Sequence, residues 1–149
     1  MKNELKEIIK EDLIKHEGFK DEIYLDTEGL ATFGIGHLVT EDDMEHGWPV
    51  GSPITPERID NVFEEDFATA VTDANALFLN LYSQPDQVQR VVVNMAFNLG
   101  RSRLGKFKKM ITAVNGGNYV EAANQMVDSR WYNQVGNRSI ELENWMRNA

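Results

Sequence analysis

Three polar residues near the N-terminus stand out by their positions at the end of a predicted helix and on a predicted hairpin, and two of them are carboxylic acids that could cleave a glycosidic bond. They are Glu17, Asp26 and Thr32. Such cleavage uses one protonated carboxyl as a proton donor and one ionised carboxylate that stabilises charge or activates water. Glu17 and Asp26 could supply this pair. The chain holds 24 acidic residues, however, and most acidic residues are solvated surface groups, so the spacing alone leaves both interpretations open.

A helix and a small antiparallel sheet are the elements expected to position these residues. Apolar residues over 5–13 follow the i, i+3, i+4 spacing of an amphipathic helix, and Gly18 can end that helix just after Glu17. Over 22–40, β-branched and aromatic residues alternate with single glycines, which is typical of short strands and tight turns. A polar segment without a usable period follows over 41–53 and predicts a connecting loop.

Helices are predicted over the remainder of the chain. Thr55 can cap a helix and Pro56 suits its first position, and apolar spacing continues to about Leu81. Further helices are predicted over 86–99, 104–114, 118–127 and 137–146. We therefore expect an α+β fold in a single domain, 1–149. It has a small lobe over about 14–60 and a helical lobe over about 61–149 that also takes the N-terminal helix. A cleft between two such lobes is the natural place for a ligand.

Charge is distributed unevenly along the chain. Residues 1–66 carry a net charge of −12 and residues 67–149 a net charge of +3, which gives −9 overall. A surface of this sign argues against binding of nucleic acid. A basic cluster comprises Arg101, Arg103, Lys106, Lys108 and Lys109. This cluster is either a solvated helix face or a rim that faces an anion.

Other classes of protein are excluded by what the sequence lacks. It contains no Cys, which excludes disulfides, thiolate nucleophiles and cysteine zinc sites. No segment approaches the roughly 18 apolar residues of a membrane span, and the N-terminus alternates charged and apolar residues where a signal peptide is continuously apolar. We expect synthesis in a cytoplasm without an export signal, and no stable membrane association.

Several motifs in order carry a resemblance to a known family. They are HEGF at 16–19, YLDTEG at 24–29, TFGIGHLVT at 32–40, NMAFNLG at 94–100, SRWYNQ at 129–134 and NR at 137–138. Together they resemble the T-even phage lysozymes, glycoside hydrolase family 24, from about Glu17 to Arg138. The resemblance implies a lysozyme-like fold, in which a long helix joins a small antiparallel sheet lobe to a larger helical lobe with the active-site cleft between them.

The resemblance also implies an activity and its central residues. The expected enzyme is a muramidase that hydrolyses the β-1,4 bond between N-acetylmuramic acid and N-acetylglucosamine in peptidoglycan. Glu17 matches the general acid, Asp26 the second carboxylate and Thr32 the residue that helps to hold the attacking water. The implied outcome is inversion, which uses carboxyl groups about 6.5–9.5 Å apart.

Supporting and substrate-binding residues follow from the same resemblance. Arg138 matches an arginine that pairs with the catalytic glutamate, and His37 with Asp66 matches an ion pair between sheet and long helix. Leu38 and Phe97 match residues that contact the glycan.

Substrate-binding positions also include departures from the family. Met110 stands where the family has a serine and Gln125 where it has an asparagine. His16 replaces an aspartate before Glu17, and tuning of Glu17 by His16 is a hypothesis. The segment over 37–54 is shorter than in the family, which predicts a smaller or missing helix.

Partners and alternatives complete the prediction. We expect no cofactor, no metal, a monomer, and peptidoglycan glycan strands as the substrate at the cell wall or periplasm. As a phage-type endolysin the protein would depend on a separate membrane pore, a holin, to reach the wall and lyse the host. The alternatives are a non-catalytic glycan-binding or phage structural module on a lysozyme fold, and a chitin-type hydrolase. An acidic segment at 41–46 is interpreted as a flexible loop because it lacks the spacing of a calcium loop.

Overall fold

Seven helices and one three-stranded sheet make up the computed structural model, which describes residues 1–149. The helices are α1 Asn3–Glu17, α2 Pro56–Leu77, α3 Asp86–Leu104, α4 Lys108–Asn115, α5 Tyr119–Val127, α6 Arg130–Gln134 and α7 Asn137–Arg147, with a 3₁₀-helix at Leu81–Ser83. The strands are β1 Lys20–Leu25, β2 Ala31–Gly34 and β3 His37–Leu38, and they form an antiparallel sheet in the order β1-β2-β3. The predicted α+β, lysozyme-like fold class is confirmed.

The chain divides into two compact units. One unit is Lys10–Ala68, and it contains the sheet. The other is made of Met1–Ile9 together with Thr69–Ala149, and it is helical. None of the helices is long and apolar enough to span a membrane. The single domain over 1–149 stays a prediction.

Helix α1 ends where the glycine pattern predicts. Its apolar residues Leu5, Ile9 and Leu13 recur every four residues and are buried. The N–H of Gly18 donates to the carbonyl of Ile14 at 2.9 Å, and Gly18 has a φ of +80°, a conformation that glycine adopts without steric cost. Glu17 is therefore the last helical residue, at the point where the chain turns into β1.

Helix α2 begins at Pro56 as predicted but ends earlier. The Thr55 hydroxyl accepts from the N–H of Arg58 at 3.2 Å and so caps the first turn. The predicted continuation to about Leu81 is wrong, because α2 ends at Leu77 and Asn80 lies in the left-handed region with a φ of 51°. Leu81 is still buried, but in the 3₁₀-helix.

Three details of the helical unit bear on the predictions. Gly100, with a φ of 75° and a ψ of 167°, breaks the α-helical geometry inside α3, which explains why the predicted helix stopped there. The predicted start of the next helix at Leu104 is wrong, since residues 105–107 form a turn before α4. Helix α6 was not predicted, although the Ser129 hydroxyl accepts from the N–H of Tyr132 at 3.2 Å in a recognisable N-cap.

Candidate active site

The sheet presents a row of side chains on one face. Tyr24 pairs with Thr32, and Thr32 pairs with Leu38 on the next strand. Directly opposite residues of an antiparallel sheet point to the same face, so these three side chains are neighbours across the strands. Asp26 follows two residues after Tyr24, just past the end of β1. Thr32 is buried and Leu38 is exposed.

Asp26 is held by the turn that joins β1 to β2. Its Oδ1 accepts from the N–H groups of Glu28 and Leu30, each at 2.9 Å. The backbone N–H of Asp26 donates to the carbonyl of Leu30, also at 2.9 Å. Side-chain bonds of this kind fix an aspartate in one orientation and are strong when the acceptor is ionised. They use Oδ1 and leave Oδ2 for another partner.

Thr32 is prepared to accept a hydrogen bond. Its hydroxyl donates its hydrogen to the carbonyl of Leu30 at 3.0 Å. A hydroxyl has one hydrogen and two lone pairs, so the oxygen of Thr32 is left as an acceptor. Leu30 therefore contributes to both polar residues, through its N–H to Asp26 and its carbonyl to Thr32.

Glu17 lies against the turn between β2 and β3. A Cβ placed on Gly36 would be 2.6 Å from Oε1 of Glu17 and 2.9 Å from its carboxyl carbon. Gly36 also has a φ of +64°, which L-residues with a side chain rarely adopt. Only glycine satisfies both conditions, so Gly36 allows the Glu17 carboxyl to lie close to the backbone.

Tyr24 lies within the electrostatic influence of both predicted catalytic carboxylates, although the sequence analysis did not single it out. Burial raises the pKa of its phenol, and the negative charges of Glu17 and Asp26 raise that pKa further. Both carboxylates therefore act on the same hydroxyl, which stays neutral. The Nζ of Lys20 lies 5.4 Å from the centre of the Tyr24 ring. The signal that could have found Tyr24 is its position two residues before Asp26 on the same strand.

His37 bridges two carboxylates, of which the sequence predicted one. Its Nδ1 is 2.7 Å from Oδ2 of Asp66, as predicted, and its Nε2 is 2.9 Å from Oδ2 of Asp43. Burial lowers the pKa of His37, but the hydrogen bonds and charges of Asp66 and Asp43 outweigh it, so the pKa lies above the usual 6.5. Burial raises the pKa of Asp43, but the N–H of Thr40 and the His37 ring outweigh it and hold that pKa below its usual value.

Residues 41–46 form a loop, as predicted, but two of its acidic side chains, Asp43 and Glu45, form ion pairs. Arg58 donates from Nε and Nη2 to the two carboxyl oxygens of Glu45, both at 3.0 Å, and Glu45 is buried. Further along, the N–H of Ile54 donates to the carbonyl of Asp21 at 2.8 Å. The segment between β3 and α2 contains turns and no helix, in line with its short length, and ion pairs hold it in place.

Four of the predicted site residues lie in the helical unit, and the structure shows their surroundings. Arg138 is buried and its Nε donates to Oδ1 of Asn94 at 2.9 Å, while its pairing with Glu17 stays a prediction. Phe97 is half-buried. Met110 is fully buried, and the amide of Gln125 donates to Glu121 at 2.7 Å.

Trp131 is a core residue. Its exposed fraction is 4%, and its Nε1 donates to Oδ1 of Asn98 at 2.8 Å. The ring of Phe107 meets it edge-on, with 6.2 Å between ring centres. Both the polar and the apolar parts of the indole are thus satisfied within the helical unit.

No group of three or more His, Asp or Glu side chains is arranged to hold a metal ion.

The contacts of His37 lead to a prediction about stability and pH. Asp66→Asn is expected to lower the free energy of unfolding by about 1–2 kcal/mol more at pH 5 than at pH 9. The raised pKa of His37 stabilises the fold fully below its unfolded pKa of 6.5, and this contribution is lost as pH rises through the folded value. Thermal unfolding should show a difference in the Tm deficit of roughly 2–8 °C.

Asp60→Asn is the matched control for this prediction. Asp60 is exposed on the same helix, and its replacement removes the same charge without removing a hydrogen bond to His37. Its Tm is expected to change little and equally at both pH values. A deficit of Asp66→Asn that is as large at pH 9 as at pH 5 would mean that the ion pair does not form.

Comparisons with known proteins agree with the sheet and the motifs around it. The family model described as phage lysozyme matches residues 14–147. The protein named "Probable T4-type lysozyme 1" of Dictyostelium discoideum is 31% identical, over 93% of this chain and 91% of its own length. The pre-baseplate central spike protein of enterobacteria phage T4 is 30% identical over 87% of this chain but 26% of its own length. A peptidoglycan hydrolase of Pseudomonas phage phiKMV is 25% identical over 87% of this chain and 14% of its own length. The chain belongs to the phage lysozyme family.

Proposed function

We propose that the protein is a glycoside hydrolase that cleaves the β-1,4 bond between N-acetylmuramic acid and N-acetylglucosamine in peptidoglycan, with inversion. Family membership supports a lysozyme-type enzyme, and the relative from phage phiKMV is named a peptidoglycan hydrolase. The observation that carries the mechanism is the arrangement of Asp26 and Thr32. Asp26 has one carboxyl oxygen fixed and one available, and the hydroxyl of Thr32 has already donated its hydrogen to Leu30, the residue that also binds Asp26.

These two residues suit a water molecule that donates both of its hydrogens. One hydrogen goes to Oδ2 of Asp26 and the other to the hydroxyl oxygen of Thr32, which leaves a lone pair of the water free to attack. A water held in this way approaches the anomeric carbon from one face of the sugar. The leaving group departs from the other face, and this geometry is that of an inverting enzyme.

Each proton in the proposed step has a defined donor and acceptor. The water oxygen forms a bond to the anomeric carbon while the glycosidic C–O bond breaks. Glu17 gives its proton to the leaving oxygen, and Asp26 takes a proton from the attacking water. Exchange with solvent then returns Glu17 to its protonated form and Asp26 to its ionised form. We place Leu38, Phe97 and Gln125 among the residues that contact the glycan. Met110 was predicted with them, but its side chain is fully buried in this structure.

The test is the stereochemistry and identity of the first product. NMR of a digest of purified peptidoglycan is expected to show the α-anomer first, since the substrate bond is β. Mass spectrometry should find N-acetylmuramic acid at the new reducing ends. The β-anomer appearing first would reject inversion while leaving the hydrolase intact, and new ends of N-acetylglucosamine would reject the muramidase assignment.

A structural role in a phage particle is a second candidate. It is favoured by the similarity to the central spike protein of phage T4, most of which lies outside the matched region. The endolysin role, by contrast, requires an enzyme that lyses cells once a separate pore gives access to the wall, and we expect such an enzyme to be a monomer. Lysis of permeabilised cells by the purified protein, with a monomer in sedimentation, would favour the endolysin. Wall binding without hydrolysis would favour the structural module.

A further inference from the structure

A cavity of about 740 Å³ lies within the helical unit. Residues from the end of α3, from α4, from α5 and from α6 surround it. Its lining includes Leu99, Phe107, Met110, Gln125 and Trp131 together with five basic side chains. A volume of this size holds a ligand considerably larger than a single ion. We call it the cationic cavity because five of these residues are basic.

The charges of the cationic cavity are not neutralised by the protein itself. The basic residues are Arg103, Lys106, Lys108, Lys109 and Arg130, and the one acidic residue is Asp128. None of the five basic side chains forms an ion pair or a side-chain hydrogen bond. Elsewhere Lys2, Lys10, Arg58 and Arg147 are each paired with a carboxylate. In a chain with a net charge of −9, five unpaired cations therefore lie at one place.

The start of α4 adds to the positive potential of the cationic cavity. The residue at its N-cap is Phe107, which has no side-chain oxygen, and no side chain caps this end. The first N–H groups of a helix have no partner within the helix and attract anions. Lys108 and Lys109 begin the same helix, so amide donors and side-chain cations occur at one place.

The rest of the lining is partly apolar, and its polar residues are Gln125, Ser129 and Gln134. Phe107 and Trp131 contact each other edge-on, and the Nε1 of Trp131 is already bound to Asn98. Leu99 and Met110 are buried beside the cavity. A ligand that matches this lining has several anionic groups along a carbon backbone, because the cations would bind the former and the apolar surface the latter.

We propose that the cationic cavity binds the phosphate groups of a polyol-phosphate polymer attached to bacterial cell walls. Three of the five cations are lysines, compact point charges that suit a phosphate, and the two arginine forks match the geometry of a phosphate as well as that of a carboxylate. A helix N-terminus is likewise suited to phosphate. This binding goes beyond the proposed hydrolysis, since it would hold the enzyme on the wall between cleavage events. Gln125 is shared between the cationic cavity and the proposed glycan contacts, whereas none of the five cations is.

The charge asymmetry of the chain and the cationic cavity act over different ranges. The +3 half attracts any anion of the wall, stem-peptide carboxylates included, and that attraction fades within a Debye length of about 8 Å at physiological salt. The cationic cavity makes direct contacts, and these distinguish one anion from another. Selectivity between anions of equal charge is therefore the property to measure.

Calorimetric titration of the purified protein at low salt tests this proposal. The probes are a glycerol-phosphate trimer, triglutamate as a carboxylate peptide, and a neutral chitooligosaccharide. We expect the phosphate trimer to bind at least about tenfold more tightly than triglutamate. Arg103→Ala and Lys106→Ala should each weaken the binding of the trimer by about tenfold, the loss typical of one charge-assisted contact.

Arg101→Ala is the matched control for these variants. Arg101 belongs to the same basic cluster and precedes Arg103 by two residues, but it does not line the cationic cavity. Its replacement removes the same charge, so binding should change by less than about twofold. An effect equal to that of Arg103→Ala would overturn the cavity in favour of diffuse surface charge. Triglutamate binding as tightly as the trimer would overturn the phosphate assignment, and no binding of either would overturn the proposal as a whole. Hydrolysis enters none of these readouts, so the proposed enzymatic function can fail or succeed separately.

Discussion

Replacement of Glu17 by Gln is expected to lower kcat on cell walls by about a hundredfold or more, with the fold unchanged. A glutamine amide has nearly the same shape as the carboxyl, but it cannot deliver a proton to the leaving oxygen, and general acid catalysis contributes about 10²–10⁴ in rate. The measurement is the fall in turbidity of permeabilised Gram-negative cells. Thermal unfolding should give a Tm close to that of the wild type.

Glu22→Gln serves as the matched control. Glu22 is an exposed acid on β1, so the change removes one negative charge from the same unit and leaves the proposed proton donor in place. Its lysis rate should stay within about twofold of the wild type. Lysis by Glu17→Gln at the wild-type rate would end the assignment of Glu17 as the general acid.

Gly36→Ala is expected to reduce kcat by about tenfold to a hundredfold, although the new side chain is a single methyl group. The added Cβ would lie 2.6 Å from Oε1 of Glu17, so the carboxyl has to move, and a displacement of about 1 Å can cost a hundredfold in rate. The loss should appear mainly in kcat, because the proton donor moves while the proposed substrate contacts stay. Initial rates over a range of soluble peptidoglycan fragment concentrations separate kcat from KM.

Gly47→Ala is the control variant for the effect of backbone strain. Gly47 has a φ of +83°, and no atom lies within 4 Å of the site of its Cβ. It therefore tests the cost of a positive φ alone, about 1–2 kcal/mol of stability, without contact with Glu17. Both variants should lose similar Tm, and only Gly36→Ala should lose activity. Equal activity in the two variants would show that the position of Glu17 does not depend on Gly36.

Features with local causes were predictable from the sequence. Gly18 ends α1, Pro56 starts α2 and Gly100 interrupts α3, because the allowed φ of glycine and proline acts within a few residues. The cap of α5 is also local, because the side chain of Asn118 accepts from the N–H of Glu121, three residues later, at 3.1 Å. The family motifs added Asp66 as the partner of His37, which local patterning does not reveal.

Features that depend on distant partners were not predictable. Glu45 looked like one more acid in a polar loop, and its burial depends on Arg58, which lies thirteen residues further along the chain. Asp43 binds the ring of His37, which lies on β3. Helix α2 ends before the predicted last turn, and the N–H of Leu79 beyond it donates to the side chain of Asn115. Composition and period describe each segment alone, whereas these contacts are set by which segments meet.

Residues 1–9 belong to the helical unit, and this has a consequence for biosynthesis. Met1–Ile9 is translated before Lys10–Ala68 but belongs to the unit whose other residues begin at Thr69, about 60 residues later. Translation at about 5–20 residues per second takes roughly 3–12 s to cover that gap. Lys10–Ala68 is continuous and is synthesised entirely within this interval, so the sheet can form during translation. The first residues of α1 can complete their contacts only after residues from Thr69 onward have been synthesised. These contacts join residues that are far apart in the sequence, so they have a high contact order.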